Sequence, residues 1–221
     1  MIELSASILS ADLLNLEREI NTSLKAGIDW LHLDVMDGHF VPNLTFGIPI
    51  GLSIRKRFNI PVESHLMVEN PDKYLDRYSS FSRIITIHYE APVQISRVLS
   101  NIEGFGSLPG LSIRPATPLY VLEKFLPDIK YILVMTVEPG FSGQKMIYEA
   151  VDRITVLRDY REKEGLDFKI GVDGGINREN ISRIASLRPD IIVSASAIFS
   201  GNIEENINFL KSAMKVVTDG Q

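Results

Sequence analysis

The chain has 221 residues, 45% hydrophobic and 23% charged, with a net charge of −5 and no cysteine. That is enough for one good core, while the acidic balance without a basic block argues against nucleic acid or an anionic membrane as partner. The missing cysteines exclude a disulfide framework and thiolate chemistry, and no apolar run approaches the roughly 18 residues that span a bilayer.

Residues 2–8 are short, apolar and compatible with a strand. Residues 12–26 place Leu13, Leu16, Ile20 and Leu24 at helical spacing, and Gly27 supplies a stop. Residues 30–36 alternate, with Leu31, Leu33 and Val35 on one face and His32, Asp34 and Met36 on the other, until Asp37-Gly38 breaks the strand. The pattern then repeats. A helix is expected over 49–58, a strand over 61–67, a helix over 72–80, a strand over 83–88 and a helix over 93–103. A strand at 108–113, a helix at 118–126 and a strand at 131–137 follow, then a long helix over 147–164 ended by Gly165. Strand 168–173, helix 178–186, strand 190–194 and helix 203–217 complete the chain.

Eight strands, each followed by a helix at near-even spacing, imply a parallel sheet covered by helices. In a chain of this length they point to a closed (β/α)8 TIM barrel, with 1–221 as one domain. The competitor is an open doubly wound sheet, against which the absence of G-x-G-x-x-G after the first strand counts. No linker, low-complexity stretch or internal repeat is evident. The first residues lack a basic region followed by an apolar segment, so a cytoplasmic protein is expected.

A barrel places reactive residues at the C-terminal ends of its strands. Ser7 ends the first strand, His32 and Asp34 lie late in the second, His65 and Met67 end the third, and His88 ends the fourth. Met135 lies late in the sixth, and Asp173 ends the seventh. His32 and Asp34 point to the same side, His65 lies on the neighbouring strand, and Asp173 lies three strands away. Two imidazoles and two carboxylates suit one divalent transition ion such as Zn, Fe(II), Mn or Co better than Ca or Mg. His88 is read as a pocket wall, and His39 as loop surface or a residue behind the ligands. Small residues recur in the loops after strands six, seven and eight: Pro139-Gly-Phe-Ser-Gly143, Gly174-Gly175 and Ser194-Ala-Ser-Ala197. Such loops let backbone N–H groups approach a phosphate.

Six motifs carry a family resemblance over nearly the whole chain. They are Ser5-Ala-Ser-Ile-Leu-Ser-Ala-Asp12, His32-Leu-Asp-Val-Met-Asp-Gly-His-Phe-Val-Pro-Asn43, His65-Leu-Met67, Pro115-Ala-Thr-Pro118, Met135-Thr-Val-Glu-Pro-Gly-Phe-Ser-Gly-Gln144 and Val172-Asp-Gly-Gly-Ile-Asn177. In these the sequence resembles the ribulose-phosphate 3-epimerase family. The resemblance implies a ribulose-phosphate-binding barrel that interconverts D-ribulose 5-phosphate and D-xylulose 5-phosphate through a metal-stabilised enediolate. It implies His32, Asp34, His65 and Asp173 as ligands, with Asp34 and Asp173 also exchanging the proton at carbon 3. It implies substrate contacts from Ser7, His65, Gly140, Phe141, Ser142, Gly143, Asp173, Gly174, Gly175, Ala195 and Ser196, and a polarizable lid of Met36, Met67 and Met135. The implied partner is a small phosphorylated ketose, in a homo-oligomer of the pentose phosphate pathway.

Several positions depart from the family pattern. Ala195-Ser196 stands where Gly-Ser is usual, Ser142 replaces a frequent glycine, and Arg114 precedes Pro115 where Asn is usual. Residues 158–168 also resemble the sister enzymes that epimerise D-allulose 6-phosphate, which share metal and mechanism. A metal-free barrel of the orotidine-phosphate decarboxylase group needs a lysine among its second-strand carboxylates, where this chain has Met36. A non-catalytic sugar-phosphate-binding barrel would be expected to lose a ligand, yet all four positions are filled.

Overall fold

The computed structural model describes residues 1–218, with side chains described through Lys215. Eight strands alternate with helices: β1 (Glu3–Ser7), β2 (Trp30–Met36), β3 (Val62–Met67), β4 (Ile84–His88), β5 (Leu108–Ile113), β6 (Tyr131–Met135), β7 (Lys169–Asp173) and β8 (Ile191–Ser194). All pair in parallel with their sequence neighbours, and β1 pairs with β8, so the sheet closes into the expected (β/α)8 barrel. Closure leaves no strand edge open to another chain.

Two cores follow from side-chain alternation along the strands. Leu31, Leu33 and Val35 belong to the large cluster between strands and helices, together with Ile20 and Ile54. Trp30, Ile84, Tyr131, Leu133, Ile191 and Val193 form a separate cluster inside the barrel. Along β2 the inward face therefore runs from Trp30 through His32 and Asp34 to Met36, so the apolar plug gives way to polar groups toward the C-terminal end. The register sets Ser7 beside His32, Asp34 beside His65, Met36 beside Met67 and Met135 beside Asp173.

The helices are α1 (Leu16–Ala26), α2 (Ile48–Arg57), α3 (Leu75–Ser79), α4 (Ile95–Gly104), α5 (Tyr148–Val151), α6 (Arg153–Glu164), α7 (Ile181–Ser186), α8 (Ser196–Phe199) and α9 (Ile203–Thr218). Gly27 and Gly165 cap α1 and α6 in the left-handed region, at φ of 94° and 63°, as their sequence positions suggest. Four expected helices differ in form. The segment before α1 is two 3-10 turns, the first capped by Ser7 and the second by Asp12. The first turn of the helix expected over 72–80 is 3-10 as well. The long helix over 147–164 is divided at Asp152 into α5 and α6. Leu119–Phe125, between Pro118 and Pro127, is 3-10 throughout. No helix among the described residues is long and apolar enough to cross a membrane.

Candidate active site

The register on β2, β3 and β7 brings four donors together. His32 Nε2 lies 3.1 Å from Asp34 Oδ1, 3.3 Å from His65 Nδ1 and 3.9 Å from Asp173 Oδ2. His65 Nδ1 is 3.1 Å from the same Asp34 oxygen. One ligand atom from each of the four residues lies within 4.8 Å of all the others. Two imidazole nitrogens and two carboxylate oxygens so placed could hold a metal ion, and the donor chemistry fits a borderline transition ion.

The remaining atoms of these side chains are also engaged. Asp34 Oδ2 accepts a 2.6 Å hydrogen bond from the Ser7 hydroxyl, so its two oxygens face different partners. His32 Nδ1 lies 3.0 Å from Glu63 Oε2, and its Nε2 is the ring atom turned toward Asp34, His65 and Asp173. Glu63 is buried inside the barrel and also accepts from the Thr86 and Tyr131 hydroxyls, at 2.7 and 3.2 Å. Both hydroxyls have room because their neighbours are glycines. A Cβ on Gly110 would stand 2.6 Å from Thr86 Oγ1, and one on Gly171 would stand 1.9 Å from Tyr131 Oη. Behind His65, His88 Nε2 faces His65 Nε2 at 2.8 Å.

The electrostatics separate the two aspartates. Burial would raise the Asp34 carboxyl, but the adjacent His32 and His65 imidazoles, His32 foremost, outweigh it and hold it well below the usual carboxylate range. Burial, opposed by His32 and reinforced by Asp34, pushes the Asp173 carboxyl up to about 6. Burial also acts against the His32 charge, yet the Asp34 and Glu63 carboxylates raise its pKa well above the ordinary value. Burial and the nearby Glu63 charge keep the Tyr131 hydroxyl protonated as a donor.

Glu90 gives a pH expectation. Burial would raise its carboxyl, but hydrogen bonds from His88, Thr117 and the Arg114 N–H outweigh it and bring the pKa down to about 2. A carboxylate depressed in the fold stabilises it above the ordinary value of about 4.5 and loses that contribution as pH falls toward 2. Acid unfolding is therefore expected to steepen between those values, and Glu90→Gln to flatten that part of the curve. An unchanged acid limb in the variant would show that Glu90 is not the responsible group.

A cavity of about 140 Å³ opens above the donors at the C-terminal end of the barrel. Ser7, Asp34 and Asp173 line it, as do Met36, Met67 and Met135. So do the three small-residue loops, through Gly140, Phe141, Ser142, Gly143, Gly174, Gly175, Ala195 and Ser196. His32 and His65 are fully buried and contribute no lining surface, so the substrate contact expected of His65 has no counterpart on the cavity wall. His88, expected as a wall, is also absent from the lining; its ring stacks on His65 with centroids 4.9 Å apart. His39 is exposed, with its ring nitrogen 2.9 Å from the Asp37 carbonyl. Sequence reasoning missed Glu63, Thr86, Tyr131 and Glu90. The available signal was position: Glu63 and Thr86 stand two residues before His65 and His88, on the same strand faces.

Residues 3–199 match the ribulose-phosphate 3 epimerase family. The chain belongs to this family. Its chemistry is accordingly epimerisation of a phosphorylated sugar. Curated ribulose-phosphate 3-epimerases are similar over most of their length. The protein from Methanocaldococcus jannaschii is 45% identical over 199 residues, covering 90% of this chain and 85% of the relative. That from Aquifex aeolicus is 39% identical over 213 residues, covering 96% of both. Among solved structures, 3-hexulose-6-phosphate synthase from Salmonella typhimurium superposes with a TM-score of 0.71 at 14% identity, over 98% of this chain and 100% of that one. Phosphoribosyl anthranilate isomerase from Thermotoga maritima does so with a TM-score of 0.68 at 17% identity, again over 98% and 100%. At those identities the likeness speaks for the barrel alone.

Proposed function

We propose that this epimerase-family chain interconverts D-ribulose 5-phosphate and D-xylulose 5-phosphate by inverting carbon 3, with Asp34 and Asp173 as the paired acid and base. The supporting observation is that carboxylates from β2 and β7 converge on one donor cluster and both line the cavity edged by the three small-residue loops.

Inversion requires a proton to leave carbon 3, α to the carbonyl, and another to return on the opposite face. Asp34 takes the proton on one face and Asp173 delivers one on the other, with roles exchanged in the reverse direction. The Ser7 hydroxyl holds Asp34 Oδ2 in place, so one oxygen of this carboxylate is oriented toward partners other than the donor cluster. A divalent transition ion (Zn, Fe(II), Mn or Co) held by His32, Asp34, His65 and Asp173 would supply Lewis-acid stabilisation of the negative charge that builds on the substrate's oxygens. Met36, Met67 and Met135 give the cavity an apolar, polarizable cover that keeps water from the carbanionic centre.

The phosphate is assigned to the loops at Gly140–Gly143, Gly174–Gly175 and Ala195–Ser196, whose backbone N–H groups suit an anion. Gly174 shows why side chains are small there: φ is 119°, and a Cβ would lie 2.6 Å from Val137. The segment 158–168, which resembles the allulose-phosphate enzymes, lies on α6 and beyond and does not line the cavity. It therefore offers no support for a six-carbon sugar.

The test is exchange in D2O with metal-replete protein, using ribulose 5-phosphate and allulose 6-phosphate in parallel. Deuterium is expected at carbon 3 as the pentulose epimers equilibrate, with a slower reaction on the six-carbon sugar. Absence of exchange in both sugars with an ion bound would refute the epimerase mechanism, and a preference for the six-carbon sugar would change the substrate.

A further inference from the structure

The two imidazoles of the donor cluster are supported in different ways. His32 donates directly to a carboxylate, Glu63. His65 instead meets a second imidazole: its Nε2 faces His88 Nε2 at 2.8 Å, and the planes are 28° apart. His88 Nδ1 in turn faces Glu90 Oε2 at 3.3 Å. Glu90 is held by the Arg114 backbone N–H at 2.8 Å and by the Thr117 hydroxyl. His65 and His88 are both fully buried, so water cannot substitute for either contact.

Hydrogen placement in this chain has one arrangement compatible with an ion. Glu90 accepts, so His88 Nδ1 carries a hydrogen. The two facing Nε2 atoms share one hydrogen. If it sits on His88, His65 Nε2 is bare and its Nδ1 carries the hydrogen that would block an ion. If it sits on His65, Nδ1 is free and points at Asp34 and His32.

We propose that His88 and Glu90 are positioning residues that hold His65 in the tautomer and ring orientation that present Nδ1 to the metal. This rests on the reading of His65 as a ligand. It explains why a histidine that contributes no cavity surface stands on β4 at the level of the ligands. Outer partners of metal-bound histidines typically change metal affinity by about 10- to 100-fold.

The test uses zinc alone, with affinity measured by chelator competition and apo-protein unfolding followed in parallel. His88→Leu, which has no acceptor, is expected to weaken zinc binding about 10- to 100-fold. His88→Gln, whose amide oxygen can accept from His65, is expected to recover most of that loss, and Glu90→Gln to cause a smaller one. A purely structural role would lower apo stability without this pattern of rescue. Long-range ¹H–¹⁵N spectra of the zinc-loaded wild type are expected to show His65 protonated at Nε2 and metallated at Nδ1. Unchanged zinc affinity in His88→Leu, or zinc at Nε2 of His65, would overturn the proposal. Should His88→Leu not fold, the wild-type spectrum decides alone. A wild type that binds no zinc would overturn the ligand reading and the relay with it, a result distinct from zinc binding indifferent to His88.

Discussion

Asp173→Asn should lower turnover by about a thousandfold or more with saturating metal, because it removes a proton-transfer group and weakens a ligand together. The more discriminating result is isotopic. Asp34 and its Ser7 partner remain, so the epimer whose carbon 3 hydrogen faces Asp34 should still exchange slowly with D2O without inverting. The other epimer should show neither exchange nor inversion. Asp34→Asn should give the mirror pattern. Asp173 lines the cavity with 16% of its side chain exposed, so the amide is accommodated without disturbing packing. Exchange retained equally in both epimers of Asp173→Asn, or near-normal turnover, would remove Asp173 from the acid–base pair.

Gly171→Ala should be among the most damaging single-methyl changes in the barrel. The new Cβ would stand 1.9 Å from Tyr131 Oη and 2.5 Å from its Cζ. Tyr131 is fully buried and cannot move outward without displacing the inner core. Its hydroxyl would also leave Glu63, taking one donor from a buried carboxylate. Overpacking plus a lost buried hydrogen bond should destabilise by about 3 kcal/mol, a fall in Tm of roughly 10 °C for a chain of this size. Combining it with Tyr131→Phe removes the nearest clashing atom but not the ring, so the double variant should be less destabilised than the sum of the singles. Calorimetry decides both points. A Tm for Gly171→Ala within a degree of wild type would show that the interior is far looser than these distances imply.

The barrel itself was legible because its signals are local. Alternation on β2, glycine stops at Gly27 and Gly165 and the even spacing of apolar runs each concern neighbouring residues. The four donors were legible for the same reason, since strand-end position alone brings them to one rim. What the sequence could not show was register. Glu63 serves His32 only because the two stand side by side across β2 and β3, a pairing no single segment reveals. His88 lies buried behind His65, stacked on its ring, and not on the cavity wall, a depth that strand-end position alone does not reveal. The 3-10 form of Leu119–Phe125 escaped because its apolar spacing is equally compatible with an α-helix.

The order of the donors along the chain has a consequence for biosynthesis. His32, Asp34 and His65 emerge from the ribosome early and lie on strands that pair with each other, whereas Asp173 emerges more than a hundred residues later. A nascent chain can thus assemble a three-donor half-site long before its ring closes. Only arrival of β7 adds the fourth donor, Asp173, so the cluster that could hold an ion is complete only once most of the chain has been made.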